Sequence, residues 1–132
     1  MAPAIRGLRG RTVLVAEDQW FVADDLAAAL RGVGARVAGP AASLSDALRL
    51  LHAGPVDLAV LDVDLGGEPC FPLADALAAR GVPFLFATGY DRAFIPGRFH
   101  GAPHWEKPFD TDALARALAR LPRPAALSRG SA

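Results

Sequence analysis

The sequence predicts an α/β domain: a doubly wound, five-stranded parallel sheet in the order 2-1-3-4-5. Three observations carry this. Short apolar runs of strand length alternate with longer runs of helical period, five times over. Gly and Pro punctuate most of the junctions. The third apolar run, 56–61, is hydrophobic except for Asp57, as a strand covered on both faces should be. Such alternation calls for a parallel sheet with helices on both faces, wound through right-handed crossovers.

Residues 12–16 read as the first strand. A helix follows from about 19 to 31, with Val22, Leu26, Leu30 and Val33 on one face and Gly32 and Gly34 at its end. Residues 35–38 make a short second strand, closed by Gly39-Pro40. Ser43 has the character of a helix N-cap, with Asp46 three residues on, and Gly54-Pro55 stops that helix. Asp57 reads as a turn residue before strand three. Gly66-Gly67 reads as a loop.

Residues 71–80 form the third helix, with Pro72 tolerated in its first turn. Residues 83–87 are strand four. Pro96 and Gly97 interrupt 91–100, which predicts a short or irregular fourth helix. Residues 102–106 are strand five. Asp110 caps a last helix that turns Leu114, Ala117, Leu118 and Leu121 inward.

A chain of 132 residues is one domain by the usual prior of roughly 100–200 residues per domain. We divide it into an extension at 1–11, the domain at 12–121 and a loose tail at 122–132, with no output domain. Basic and acidic residues number 14 each. The absence of a basic excess argues against nucleic acid as a partner. The single cysteine, Cys70, allows no internal disulfide and fits a reducing cytoplasm. No run approaches the ~18 apolar residues of a membrane span, so no membrane insertion is expected. A monomer or weak dimer is the default.

The polar residues at strand ends carry the chemistry. Glu17 and Asp18 follow strand one, Asp62 and Asp64 follow strand three, Thr88 follows strand four and Lys107 follows strand five. A doubly wound sheet gathers these ends at one edge, where such folds bind ligands. Crowded carboxylates repel, and a hard divalent cation such as Mg²⁺ or Mn²⁺ relieves the repulsion. Asp18 and Asp62 would bind it directly, with Glu17 acting mostly through water. A carboxylate can also accept a phosphoryl group, and at a reference pKa of ~3.9 an aspartate needs no base to be nucleophilic. Phosphoryl transfer asks chiefly for positioning and charge neutralisation. Lys107 offers the charge, Thr88 a hydroxyl donor, and Gly89 leaves room. Taken singly, each is ordinary: a cap, a strand-end hydroxyl, a surface lysine. Their joint placement in order is not.

The pieces Val13-Leu14-Val15-Ala16-Glu17-Asp18, Asp57-Leu58-Ala59-Val60-Leu61-Asp62, Ala87-Thr88-Gly89 and Lys107-Pro108-Phe109 resemble the response-regulator receiver family, over 12–121. The resemblance implies a flavodoxin-like receiver fold. It implies Asp62 as phosphoacceptor, and a metal site of Glu17, Asp18, Asp62 and the Asp64 backbone carbonyl. It implies phosphoryl contacts from Thr88 and Lys107, and a cis Lys107–Pro108 bond. Its partners would be a histidine kinase or a histidine phosphotransfer protein, and a downstream target protein. Residues 83–90 further resemble the branch named for a Phe-Ala-Thr-Gly-hydrophobic-Tyr signature, here shortened.

This sequence departs from the family pattern in two places. Gly66 and Gly67 stand in the loop where receivers often carry proline four positions after the acceptor. His104, beside Trp105, stands where the aromatic switch residue is usual, so a switch would involve Thr88, Tyr90, His104 and Trp105. The expected role is that of a stand-alone signalling phosphoacceptor and not an enzyme. A metal-dependent phosphatase would place its nucleophile early and add a substrate-covering insertion. A phosphorylation-independent module would not need the acceptor set. A flavin binder would want a phosphate loop where Glu17 and Asp18 stand.

Overall fold

The computed structural model describes residues 6–122. Five parallel strands form the sheet: β1 (Thr12–Ala16), β2 (Arg36–Ala41), β3 (Leu58–Leu61), β6 (Phe84–Thr88) and β7 (His104–Glu106). Their order is β2-β1-β3-β6-β7, which is 2-1-3-4-5 when sheet strands alone are counted. Four helices flank them: α1 (Trp20–Gly32), α2 (Leu44–Ala53), α3 (Phe71–Ala79) and α4 (Thr111–Ala119). The predicted fold class holds.

The sheet's pleat divides the core. Val13, Val15, Val60 and Leu85 point to the face covered by Leu26 and Leu30 of α1 and Leu114 and Leu118 of α4. Leu14, Ala16, Leu61 and Phe86 point to the other face, under Leu51 of α2 and Leu73 and Leu77 of α3. The alternation is the period of a strand, and both halves are apolar because both are covered. α2 and α4 start at side-chain caps. Ser43 Oγ accepts from Asp46 N–H at 3.1 Å, and the Asp110 side chain accepts from Asp112 N–H at 2.9 Å. Asp57 does structural work. Its Oδ2 accepts from Thr12 N–H at 2.8 Å and ties the starts of β1 and β3 together.

Between β6 and β7 no α-helix forms. Two 3₁₀ turns, Arg92–Phe94 and Gly97–Phe99, take its place, as Pro96 and Gly97 predict. Ile95 and Phe99 anchor them in the core.

Some local readings change. β2 does not stop at Gly39-Pro40 but runs to Ala41, with a register shift opposite β1 between Leu14 and Ala16. An edge strand tolerates a proline at such a bulge. Gly39 holds φ +99, where a Cβ would lie 2.7 Å from Ala41 N, so only glycine fits there. Gly66-Gly67 is not a plain loop. It reverses a small antiparallel hairpin, β4 (Asp64–Leu65) with β5 (Glu68–Pro69). Both glycines have positive φ, +61 and +90, as a tight two-residue hairpin turn requires.

In α4 the fully buried positions are Leu114, Ala115 and Leu118, with Ala117 half-buried; Leu121, expected within the helix, is half-buried just beyond its end at Ala119. Ahead of β1, Leu8 is fully buried beside α4's residues, and Gly10 N–H donates to Gly34 O at 2.8 Å. The expected tail at 122–132 lies outside the described residues beyond Pro122.

Candidate functional site

The parallel ladders continue just past the strand ends. Glu17 N–H donates to Ala41 O, and Asp62 N–H to Ala16 O, both at 2.9 Å. These bonds set the side chains of Glu17 and Asp62 next to each other at the carboxyl edge. Asp18 joins them. Carboxylate oxygens of Glu17, Asp18 and Asp62 all lie within 4.8 Å of one another. Glu17 and Asp62 are buried and Asp18 is exposed, so the cluster opens to solvent on Asp18's side.

Lys107 reaches in from the end of β7. Its backbone N–H is held by Thr88 O at 3.0 Å, and its Nζ lies 2.6 Å from Glu17 Oε1 and 2.9 Å from Asp62 Oδ2. A third acceptor, Gln19 Oε1, lies at 2.7 Å. The peptide bond after Lys107 is cis, as the family pattern implies, and Gly39–Pro40 is cis as well.

Thr88 is fully buried at the end of β6, and its Oγ1 accepts from Tyr90 N–H at 3.2 Å, leaving the hydroxyl proton free to donate. A Cβ built on Gly89 would meet nothing within 4 Å, so the space expected there is open. His104 Nε2–H donates to the backbone carbonyl of Tyr90 at 2.9 Å. Trp105 is half-buried against the α1–α4 face of the core. Asp64 folds back on the hairpin, its Oδ1 accepting from Gly67 N–H at 2.9 Å, and Asp18 Oδ2 accepts from Gly66 N–H at 3.2 Å.

Burial pushes the Glu17 carboxyl up to about 7, against the lowering effect of hydrogen bonds from Lys107 and the Gln19 N–H, with the Asp62 charge adding to the rise. Burial alone would lower the Lys107 pKa. Hydrogen bonds and charges from Glu17 and Asp62 overturn this and leave it raised. Burial, assisted by the Asp62 charge, pushes the Cys70 thiol up to about 12, so Cys70 is an inert core residue.

Asp18, Asp62, Thr88, Gly89 and Lys107 line a cleft of about 610 Å³, which the exposed Phe21 and Tyr90 also border. Among the described residues the exposed large apolar side chains are Trp20, Phe21, Tyr90 and Phe94. They form two edge-to-face pairs, Trp20–Phe21 at 5.9 Å and Tyr90–Phe94 at 5.6 Å. The structure thus brings together every strand-end residue singled out in the sequence.

The sequence pattern points to Tyr90 but not to the Gln19–Lys107 contact or to Trp20, Phe21 and Phe94. For Gln19 a signal existed: a polar residue of a type not preferred at caps stands at the start of a helix.

No family model matches the chain, and neither does any curated protein. Solved structures do match. The solution structure of SdrG from Sphingomonas melonis Fr1 is 36% identical, with a TM-score of 0.71, over 87% of this chain and 97% of that one. The non-phosphorylated HemR receiver domain from Leptospira biflexa is 30% identical, with a TM-score of 0.71, over 86% of this chain and 98% of that one.

The chain belongs to the response-regulator receiver family.

A further receiver relative, a response regulator protein from Burkholderia pseudomallei, was solved with a phosphorylated aspartic acid, a calcium ion and citrate. It is 26% identical to this chain, with a TM-score of 0.72, over 82% of this chain and 66% of its own. Membership supports a phosphoacceptor role for the domain in general terms. Among the described residues, no helix of this receiver is long and apolar enough to cross a membrane.

Proposed function

We propose that Asp62 accepts a phosphoryl group from a histidine kinase or histidine phosphotransfer protein, and that the domain passes the signal on by contact with a target protein. One observation carries the reading above the others. Lys107 Nζ lies 2.9 Å from Asp62 Oδ2, inside a cluster of three carboxylates. That is an acceptor, a cation for the phosphoryl oxygens and a divalent-metal donor set in one place.

Asp62 Oδ2 is engaged by Lys107, while Oδ1 has only a long contact, 3.5 Å, from Asp64 N–H. Oδ1 is therefore the freer oxygen to attack phosphorus. The new O–P bond forms as the bond from phosphorus to the donor breaks, and the donor leaves with the electron pair. Lys107 and the Thr88 hydroxyl then donate to phosphoryl oxygens. The donor set fits Mg²⁺ or Mn²⁺: hard oxygens, carboxylates close together, an opening to water. Glu17, Asp18, Asp62 and the Asp64 carbonyl would hold the ion, which would offset the charge of the carboxylates and phosphoryl group.

The role is that of a cytoplasmic signalling phosphoacceptor with no separate substrate of its own. The exposed aromatic pairs, each with one member, Phe21 or Tyr90, bordering the cleft, suit a protein partner. The run Pro83-Phe84-Leu85-Phe86-Ala87-Thr88-Gly89-Tyr90 supports assigning the chain to the branch with the Phe-Ala-Thr-Gly-hydrophobic-Tyr signature, here shortened.

The test is intact mass after incubation with Mg²⁺ and acetyl phosphate. One phosphoryl adduct is expected on the wild type, none on Asp62→Asn and none with EDTA. An adduct that survives Asp62→Asn would move the acceptor elsewhere. Silence with acetyl phosphate and with a panel of histidine kinases would overturn the reading.

A further inference from the structure

Lys107 carries three ammonium protons and finds three acceptors: Glu17 Oε1 at 2.6 Å, Gln19 Oε1 at 2.7 Å and Asp62 Oδ2 at 2.9 Å. They are not equivalent. Glu17 and Asp62 belong to the carboxylate cluster that suits a divalent cation. Gln19 does not. Its neutral amide oxygen is a far weaker competitor for a hard cation than a carboxylate already paired with others. When the carboxylates neutralise a cation, Gln19 is the acceptor that Lys107 keeps.

A second observation points the same way. Gln19 occupies the N-cap of α1, yet its side chain makes no cap hydrogen bond. The caps of α2 and α4, Ser43 and Asp110, both make theirs. The first turn of α1 goes without a side-chain cap while the amide reaches a lysine 88 positions away. The Gln19 backbone N–H meanwhile donates to Glu17 Oε2 at 3.0 Å, so the residue touches both members of the buried ion pair.

We propose that Gln19 is a positioning residue for Lys107. It holds the ammonium beside Asp62 so that the charge is already in place when a phosphoryl group arrives. This rests on the phosphoacceptor reading of Asp62. Substituting the side chain leaves the backbone bond to Glu17 intact, so the metal site is spared while Lys107 is loosened.

The experiment follows acetyl phosphate labelling by intact mass at saturating Mg²⁺, with Mg²⁺ affinity measured by tryptophan fluorescence. The variants are Gln19→Met, similar in length but without an acceptor, and Gln19→Glu, which restores an acceptor oxygen. Gln19→Met is also made in a Lys107→Ala background. Gln19→Met is expected to slow labelling roughly 10-fold, with the Mg²⁺ Kd unchanged, since small misplacements of a positioned group are costly. Gln19→Glu should recover most of the rate, and Gln19→Met should add no loss when Lys107 is already gone. A Gln19→Met rate equal to wild type, or an equal loss in the Lys107→Ala background, would overturn the proposal while leaving Asp62 as acceptor. A wild type that takes no phosphoryl group would remove the acceptor reading itself, and this proposal with it.

Discussion

Lys107 meets Glu17 and Asp62 at the carboxyl edge of the sheet with side chains 14%, 4% and 7% exposed, whereas Arg98 meets Asp75 on α3 with both side chains more than half exposed. The contacts are of similar length, 2.6 and 2.9 Å against 3.0 Å. The second has the more regular geometry. Arg98 Nε and Nη2 each reach an Asp75 oxygen at 3.0 Å, and the guanidinium lies 4.4 Å from the Phe99 ring centroid. Length and geometry therefore do not mark out the buried pair. Burial and charge balance do. Asp75 and Arg98 cancel one for one in water, where screening and side-chain entropy leave an ion pair worth little. At the sheet edge one ammonium faces two buried carboxylates, with Asp18 beside them. That cluster keeps a surplus of negative charge, which a structural ion pair has no use for and a cation site needs.

The largest expected effect comes from breaking the buried side of this comparison. Lys107→Met in EDTA should lower the free energy of unfolding by about 3 kcal/mol, because it strands buried carboxylates without a counter-charge. Urea denaturation measures it, and added Mg²⁺ should return much of the loss by binding the folded state. An unchanged midpoint would mean that these carboxylates are as well hydrated folded as unfolded.

A smaller effect follows from Glu17. Its carboxyl is raised from 4.5 to about 7. Folded protein thus holds this proton more tightly than unfolded protein. The contribution to stability is complete below about 4.5 and is lost as pH rises through about 7. The metal-free wild type should lose on the order of 1 kcal/mol across that window relative to Glu17→Gln. Parallel pH profiles for the two would remove the shift.

The smallest effect should come from Asp75→Asn. Arg98 holds the Asp75 carboxyl below its ordinary value, and Asp75 in turn raises Arg98. Both groups are exposed, so the urea midpoint should stay at the wild-type value. The turns between β6 and β7 are anchored instead by Ile95 and Phe99. A large loss in Asp75→Asn would show that the ion pair carries the segment.

Much of this comparison is legible before any coordinates. Glu17, Asp18, Asp62, Thr88 and Lys107 sit at the ends of apolar runs, and a sheet wound with right-handed crossovers can only gather those ends at one edge. The eroded fourth helix is equally plain, since Pro96 and Gly97 act locally. The hairpin after Asp62 was harder to see. Its arms are two residues each, too short to show an alternating pattern, and only the glycine pair hinted at a reversal. The run of β2 past Gly39-Pro40 depends on its neighbour β1, because a proline ends a central strand but not an edge strand at a bulge.

The sequence by itself determines the alternation of elements, the two-sided burial of the sheet and the edge at which the polar residues meet. Period, glycine and proline placement and chain handedness are local properties, and they suffice for these. Only the tertiary structure decides that Lys107 shares its protons among Glu17, Asp62 and Gln19, that the Gln19 side chain leaves its helix uncapped to reach Lys107, and that Leu8 closes the core under α4. Each depends on contacts between residues far apart in sequence. A side chain with several partners in reach takes the ones that folding brings near, and no local pattern records that choice.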